Sequence, residues 1–191
     1  MLKVGVQTKG ILPDMPVDKG FQFIKDAGFE KVDLSIDTFL KNSDLYAGNV
    51  NRFFDASVED LLVYFNDYRI AMEKAGISPS QMHAPYPVNV LGRGKPVSYT
   101  HLRAHETEYM QGNVIPKNIL IAEFLGVPWM VVHPFKMQYV YGKDVERAKN
   151  IEYFKMLIPL LKQCNVGICF ENLYEGIGQR LVEGVLSLIH I

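Results

Sequence analysis

The stretch Phe124-Leu125-Gly126-Val127-Pro128-Trp129-Met130-Val131-Val132-His133 contains the transition on which the fold depends. A helical apolar pattern stops at a glycine, the residue best suited to the left-handed conformation that closes a helix, and a short apolar strand follows within a few residues. The same transition occurs upstream. Lys25-Asp26-Ala27-Gly28 leads into Lys31-Val32-Asp33-Leu34-Ser35, and Glu73-Lys74-Ala75-Gly76 leads into Ser80-Gln81-Met82-His83. Downstream, Asn165 takes the glycine's place before Val166-Gly167-Ile168-Cys169-Phe170-Glu171, and asparagine is the usual second choice for that cap. With an opening strand over residues 3–8, these make five strands. The helices between them are expected over 17–27, 58–75, 109–125 and 144–163, the second begun by Ser57 with Asp60 three residues on.

Short apolar strands alternating with longer helical patterns predict parallel βαβ units, and hence an α/β fold. The repeats are long for minimal units, and the excess falls in the segments after the strands (9–16, 37–56, 84 onward and 134–143), on the side where such folds bind ligands. A barrel and a doubly wound open sheet both fit this periodicity. A nucleotide-binding version of the latter is disfavoured, because Gln7-Thr8-Lys9-Gly10-Ile11-Leu12-Pro13 contains no glycine-rich phosphate loop.

Composition narrows the function classes. The chain is 48% hydrophobic and 21% charged, within the range of globular domains, and its net charge of -1 supplies no field that would favour nucleic acid or an anionic membrane. No signal-peptide pattern follows Met1 and no apolar run is long enough to span a bilayer, so a cytoplasmic location is expected. Cys164 and Cys169 suit neither a metal pair nor a disulfide framework.

Two segments resemble translated sequencing-library adapter. Residues 97–107 read VSYTHLRAHET and residues 186–191 read LSLIHI, which are one adapter string read in two frames. His101 and His105, spaced like two metal ligands on a helix face, are set aside on this ground, as are Glu106 and His190. His83 and His133 are then the histidines that remain.

Counting from the caps, Ser35, His83 and His133 each lie seven residues after a glycine, and Glu171 lies six after Asn165. In a parallel barrel such positions fall at one level, the C-terminal mouth, where side chains from different strands converge. Two imidazoles and a carboxylate there suit a divalent ion such as zinc or manganese. Glu171 directly follows a buried parallel strand, where a carboxylate needs a partner for its charge. Three other positions keep two readings each. Asn172 either orients Glu171 or binds a substrate hydroxyl, or else forms a turn; Tyr86, between two prolines, walls a site or packs a loop; Gln7 at the end of strand one is likewise a substrate-binding residue or a structural one. Lys136 and Lys143 read as a solvated loop.

On the residues Val4-Gly5-Val6-Gln7, Asp26-Ala27-Gly28-Phe29-Glu30-Lys31-Val32-Asp33, Met82-His83-Ala84-Pro85-Tyr86, Gly126 to Pro134 and Gly167-Ile168-Cys169-Phe170-Glu171-Asn172-Leu173, the chain resembles the xylose-isomerase-like barrels. That superfamily holds sugar phosphate isomerases and epimerases and the endonuclease IV group. The resemblance implies a TIM (β/α)8 barrel of which about five of eight βα units are present as a single incomplete domain. It also implies a metal at the mouth, with Glu171 as ligand and proton-transferring base and His83 and His133 as further ligands. The implied activity is isomerisation or epimerisation of a sugar or sugar phosphate, with the chain as written inactive. An endonuclease IV-like zinc phosphodiesterase and a non-catalytic sugar-binding barrel are the alternatives. Expected partners are a small-molecule sugar or sugar phosphate and further copies of the chain through its open sheet edges, with no nucleic acid and no membrane.

Overall fold

The computed structural model describes residues 3–40, 52–85, 109–134 and 143–171. Each of the four cap positions named above has positive φ: Gly28 at 89°, Gly76 at 64°, Gly126 at 68° and Asn165 at 52°. The elements they separate are β1 (Gly5–Gln7), α1 (Val17–Asp26), β2 (Lys31–Ser35), α2 (Val58–Ala75), β3 (Ser78–His83), α3 (Ile115–Phe124), β4 (Trp129–Val132), α4 (Lys143–Cys164) and β5 (Gly167–Phe170). All neighbouring strands run parallel, in the order β1-β2-β3-β4-β5. Sequential order separates the two architectures left open by periodicity, because a doubly wound sheet reverses its strand order at a switch point. The chain is α/β, with its five strands forming an arc of the TIM-barrel kind.

The described core lies between sheet and helices. Val32, Leu34, Met82, Met130 and Val132 point from the strands onto Phe21, Ile24, Phe65, Met72, Ile119 and Ala122 of the helices, all at most 3% exposed. Ser57 caps α2 by accepting from the Asp60 N–H at 3.0 Å, while its own hydroxyl donates to the Asp60 carboxylate at 2.9 Å. The third helix departs from the expected uniform run over 109–125. Its first turn, Met110–Val114, is π-helical, with the Ile115 N–H reaching back to the Met110 carbonyl. Pro116 explains the wider turn, since it has no N–H for the Gly112 carbonyl and its ring crowds that oxygen.

A second irregularity lies in β3. Val32 pairs with Pro79 but Asp33 pairs with Gln81, so Ser80 is an extra, bulged residue. Pro79 cannot donate to the ladder; the Ser80 hydroxyl donates to the Val32 carbonyl at 3.0 Å instead.

Gly126 offers a clean test of the caps. Nothing lies within 4 Å of where its Cβ would be, so Gly126→Ala carries only the conformational cost of positive φ. We expect a loss of about 1–2 kcal/mol, read from the urea midpoint; an unchanged midpoint would show that the cap is not held in this conformation.

Candidate metal and acid/base site

The opposite face of the sheet, which would line a barrel's interior, carries the polar residues. Beside Val32 and Leu34, alternation turns Asp33 and Ser35 inward; beside Met82 it turns Gln81 and His83 inward. The ladder bonds continue past the strand ends. The Ala84 N–H donates to the Val131 carbonyl and the Glu171 N–H to the Val132 carbonyl, both at 3.0 Å, which fixes the backbone on either side of the mouth.

There the structure brings three of the sequence-selected residues together. His83 Nε2 lies 3.3 Å from Glu171 Oε2, and His133 Nε2 lies 3.1 Å from the same oxygen. The expectation of a common level needs one correction. Ser35 does pair with His83, but His83 pairs with Val131, two residues short of His133, and Val131 pairs with Cys169, two short of Glu171. The groups still meet because strands in such a barrel are tilted, with a stagger of about one residue per strand at shear eight. Two steps from β3 to β5 therefore advance the level by the two residues that separate Cys169 from Glu171.

Gln7 is exposed at the end of β1, where its side chain adds a small lowering effect on the Asp33 pKa. Tyr86 and Asn172 lie outside the described residues, as do the two adapter-like segments. Cys164 is buried and Cys169 exposed, both free thiols.

Asp33 is a member of the site that sequence reasoning passed over. Its Oδ2 lies 2.9 Å from His83 Nδ1 and accepts from Gln81 Nε2 at 2.9 Å, while Oδ1 lies 3.1 Å from the same imidazole nitrogen. A signal for it was present: a carboxylate in the middle of Val32-Asp33-Leu34 needs a partner for the same reason as Glu171. The pair shifts both groups. The bond to Asp33 raises the His83 pKa above the usual histidine value against the opposing effect of burial, with Glu171 adding to the rise. Burial pushes the Asp33 carboxyl up, but bonds from His83 and Gln81 and the imidazolium charge outweigh it and leave the pKa lowered.

These directions predict a bell-shaped contribution to stability in the metal-free chain. A raised histidine contributes fully below its unfolded pKa of ~6.5 and loses that contribution as pH rises through the folded value. A lowered aspartate contributes above its unfolded pKa of ~3.9 and loses that contribution as pH falls through the folded value. The stability difference between the parent chain and Asp33→Asn is therefore expected to peak between these limits. Urea midpoints across pH check this, and a difference independent of pH would contradict the pairing.

The donor set suits a divalent ion. Bonds of about 2.0–2.2 Å to nitrogen and oxygen place neighbouring ligands roughly 3–3.5 Å apart, and both contacts to Glu171 Oε2 fall in that range. They amount to part of a coordination shell: among the described residues, no three His, Cys, Asp or Glu side chains form a cluster able to hold an ion by themselves.

No protein-family model and no curated protein sequence matches the chain. Solved structures do match. A family 2 AP endonuclease from Brucella melitensis aligns with a TM-score of 0.60 at 12% identity, over 98% of this chain and 65% of its own. The 3-keto-D-glucoside 4-epimerase of E. coli aligns at 0.59 and 12%, over 97% and 65%. A xylose isomerase domain protein from Planctomyces limnophilus aligns at 0.54 and 13%, over 98% and 58%. The structural neighbours are xylose-isomerase-like TIM barrels. At these identities the likeness to the xylose-isomerase-like barrels is one of fold, and the chain spans less than two-thirds of the length of the three. No helix among the described residues is long and apolar enough to cross a membrane.

Proposed function

We propose that this chain carries the acid/base residue and part of the metal site of an isomerase or epimerase that acts on a sugar or sugar phosphate by moving a proton next to a carbonyl. The observation that supports the reading is the meeting of two imidazole Nε2 atoms on one oxygen of Glu171 at the strand mouth. The Glu171 side chain is 41% exposed, against 19% for His83 and 9% for His133. The carboxylate is thus the member of the set that a substrate reaches, with the imidazoles behind it.

In this scheme Glu171 accepts the proton from the carbon beside the carbonyl, and the C–H electrons form the enediolate's new double bond while the carbonyl oxygen takes the negative charge. Return of the proton to the former carbonyl carbon, with the hydroxyl proton of the first carbon passing to the former carbonyl oxygen, isomerises the sugar; return to the opposite face of the same carbon, with the carbonyl re-formed, epimerises it. His83, His133 and Glu171 are the residues that would hold a divalent ion such as zinc or manganese, whose positive charge would favour the developing oxyanion. The Oε1 atom of Glu171 is left for proton transfer. A second proton donor on the far face of the sugar would come from elsewhere in the full-length protein.

The test is metal analysis of the full-length protein together with turnover of a panel of ketoses and ketose phosphates. Bound metal with proton exchange from the carbon next to the carbonyl is the expected result. Metal-dependent cleavage of abasic-site DNA without any sugar exchange would overturn it in favour of the phosphodiesterase reading, for which two histidines on one carboxylate oxygen are equally suitable. Neither activity, with sugar bound and no metal, would leave the sugar-binding barrel.

A further inference from the structure

His83 presents one ring nitrogen to each of two carboxylates, and the two contacts differ in kind. Nδ1 lies 2.9 and 3.1 Å from the two oxygens of Asp33, whereas Nε2 is 3.3 Å from one oxygen of Glu171. Asp33 is itself held: it is only 15% exposed, and Gln81 donates to its Oδ2 at 2.9 Å. Gln81 and His83 project from one strand toward the same carboxylate, so the orientation of Asp33 and that of the imidazole are set together.

An ionised carboxylate only accepts hydrogen bonds. Both ring nitrogens face one, so the single proton of the neutral ring belongs on the nitrogen with the nearer and more buried acceptor, Nδ1, and Nε2 is left with a lone pair. We infer that Asp33 is a positioning residue that, braced by Gln81, keeps the proton of neutral His83 on Nδ1 and aims the Nε2 lone pair toward Glu171 at the mouth. A metal-bound role for that lone pair rests on the function proposed above; the place of the proton does not.

The substitution Asp33→Ala would upset the arrangement in a specific way. It removes both oxygens that face His83 Nδ1. The carboxylate of Glu171, beside Nε2, then offers the neutral ring its better acceptor. The ring proton moves to Nε2, and the lone pair leaves the mouth.

Long-range 1H–15N NMR of the full chain distinguishes the two tautomers, with the His83 signals assigned by their loss in His83→Asn. In the parent chain the neutral ring is expected to show a protonated Nδ1 and an unprotonated Nε2. In Asp33→Ala the proton should shift toward Nε2, and zinc affinity measured with zinc alone should fall about 10-fold or more. Asp37→Asn, which removes a carboxylate bonded to Lys9 at 2.6 Å, should change neither quantity. A parent ring protonated on Nε2, or a tautomer unmoved by Asp33→Ala, would overturn the inference; the first is read without any variant, so a misfolded mutant cannot obscure it. A tautomer that shifts as expected with no change in zinc affinity would uphold the role of Asp33 and overturn the metal site.

Discussion

Replacing Glu171 by glutamine is expected to lower turnover by the full-length protein about 10²–10⁴-fold, the range that a positioned general base supplies. Glutamine keeps the size of the side chain and one oxygen but cannot take a proton from carbon. Loss of the negative charge also weakens metal binding, yet His83 and His133 remain, so bound metal should fall far less than activity. His83→Ala is expected to show the opposite order, losing metal first and activity in proportion. Metal content and turnover measured side by side on a confirmed substrate separate the two patterns. Glu171→Gln with undiminished activity would remove Glu171 from the chemistry.

The largest loss of stability is expected from Phe65→Ala. Phe65 is fully buried in α2, its ring centroid 5.2 Å from that of Tyr64, 5.3 Å from Tyr68, 5.4 Å from Phe39 and 6.1 Å from Phe53. Three of these contacts are edge-to-face packings close to perpendicular, at 74°, 83° and 85°. The phenyl ring thus lies at the centre of a cluster that joins α2 to the segment after β2. Truncation removes that burial and leaves a cavity among rigid rings, for a cost of about 3–5 kcal/mol. A domain with a total stability of only about 5–15 kcal/mol would come close to unfolding. Val63 on the same helix is 75% exposed, and Val63→Ala should change stability by no more than about 0.5 kcal/mol. Urea unfolding followed by circular dichroism compares the two, and similar midpoints for both variants would refute the packing described.

Much of this architecture was legible in the sequence because its punctuation is local. A helix closed by Gly28, Gly76, Gly126 or Asn165 is a backbone requirement, and the residue that meets it sits at the spot where it is needed. The α2 and β2 boundaries followed from the same signals, as did the choice of His83, His133 and Glu171 as strand-end residues. What stayed hidden was relational. Asp33 and His83 are 50 positions apart and meet only because β2 and β3 are neighbours in the sheet. The offset of His133 from His83 along the ladder comes from strand tilt, a property of the assembled sheet that no count from a cap contains. The π-helical turn before α3 was in principle readable from Pro116, yet the apolar spacing around it is also that of an ordinary helix.

The bulge at Ser80 has a consequence for how this framework tolerates change in length. Strand β2 is entered three residues after its helix-closing glycine and β3 only two after its own, yet Ser35 and His83 finish opposite each other. The residue missing from the turn is regained in the middle of the strand. Were the ladder flattened with its entry register kept, Met82 would sit opposite Ser35, and His83 would turn toward the oily layer beneath the helices. The helix-side end of β3 can thus be shortened without disturbing the chemical end, because one hydroxyl-bearing residue between them takes up the difference.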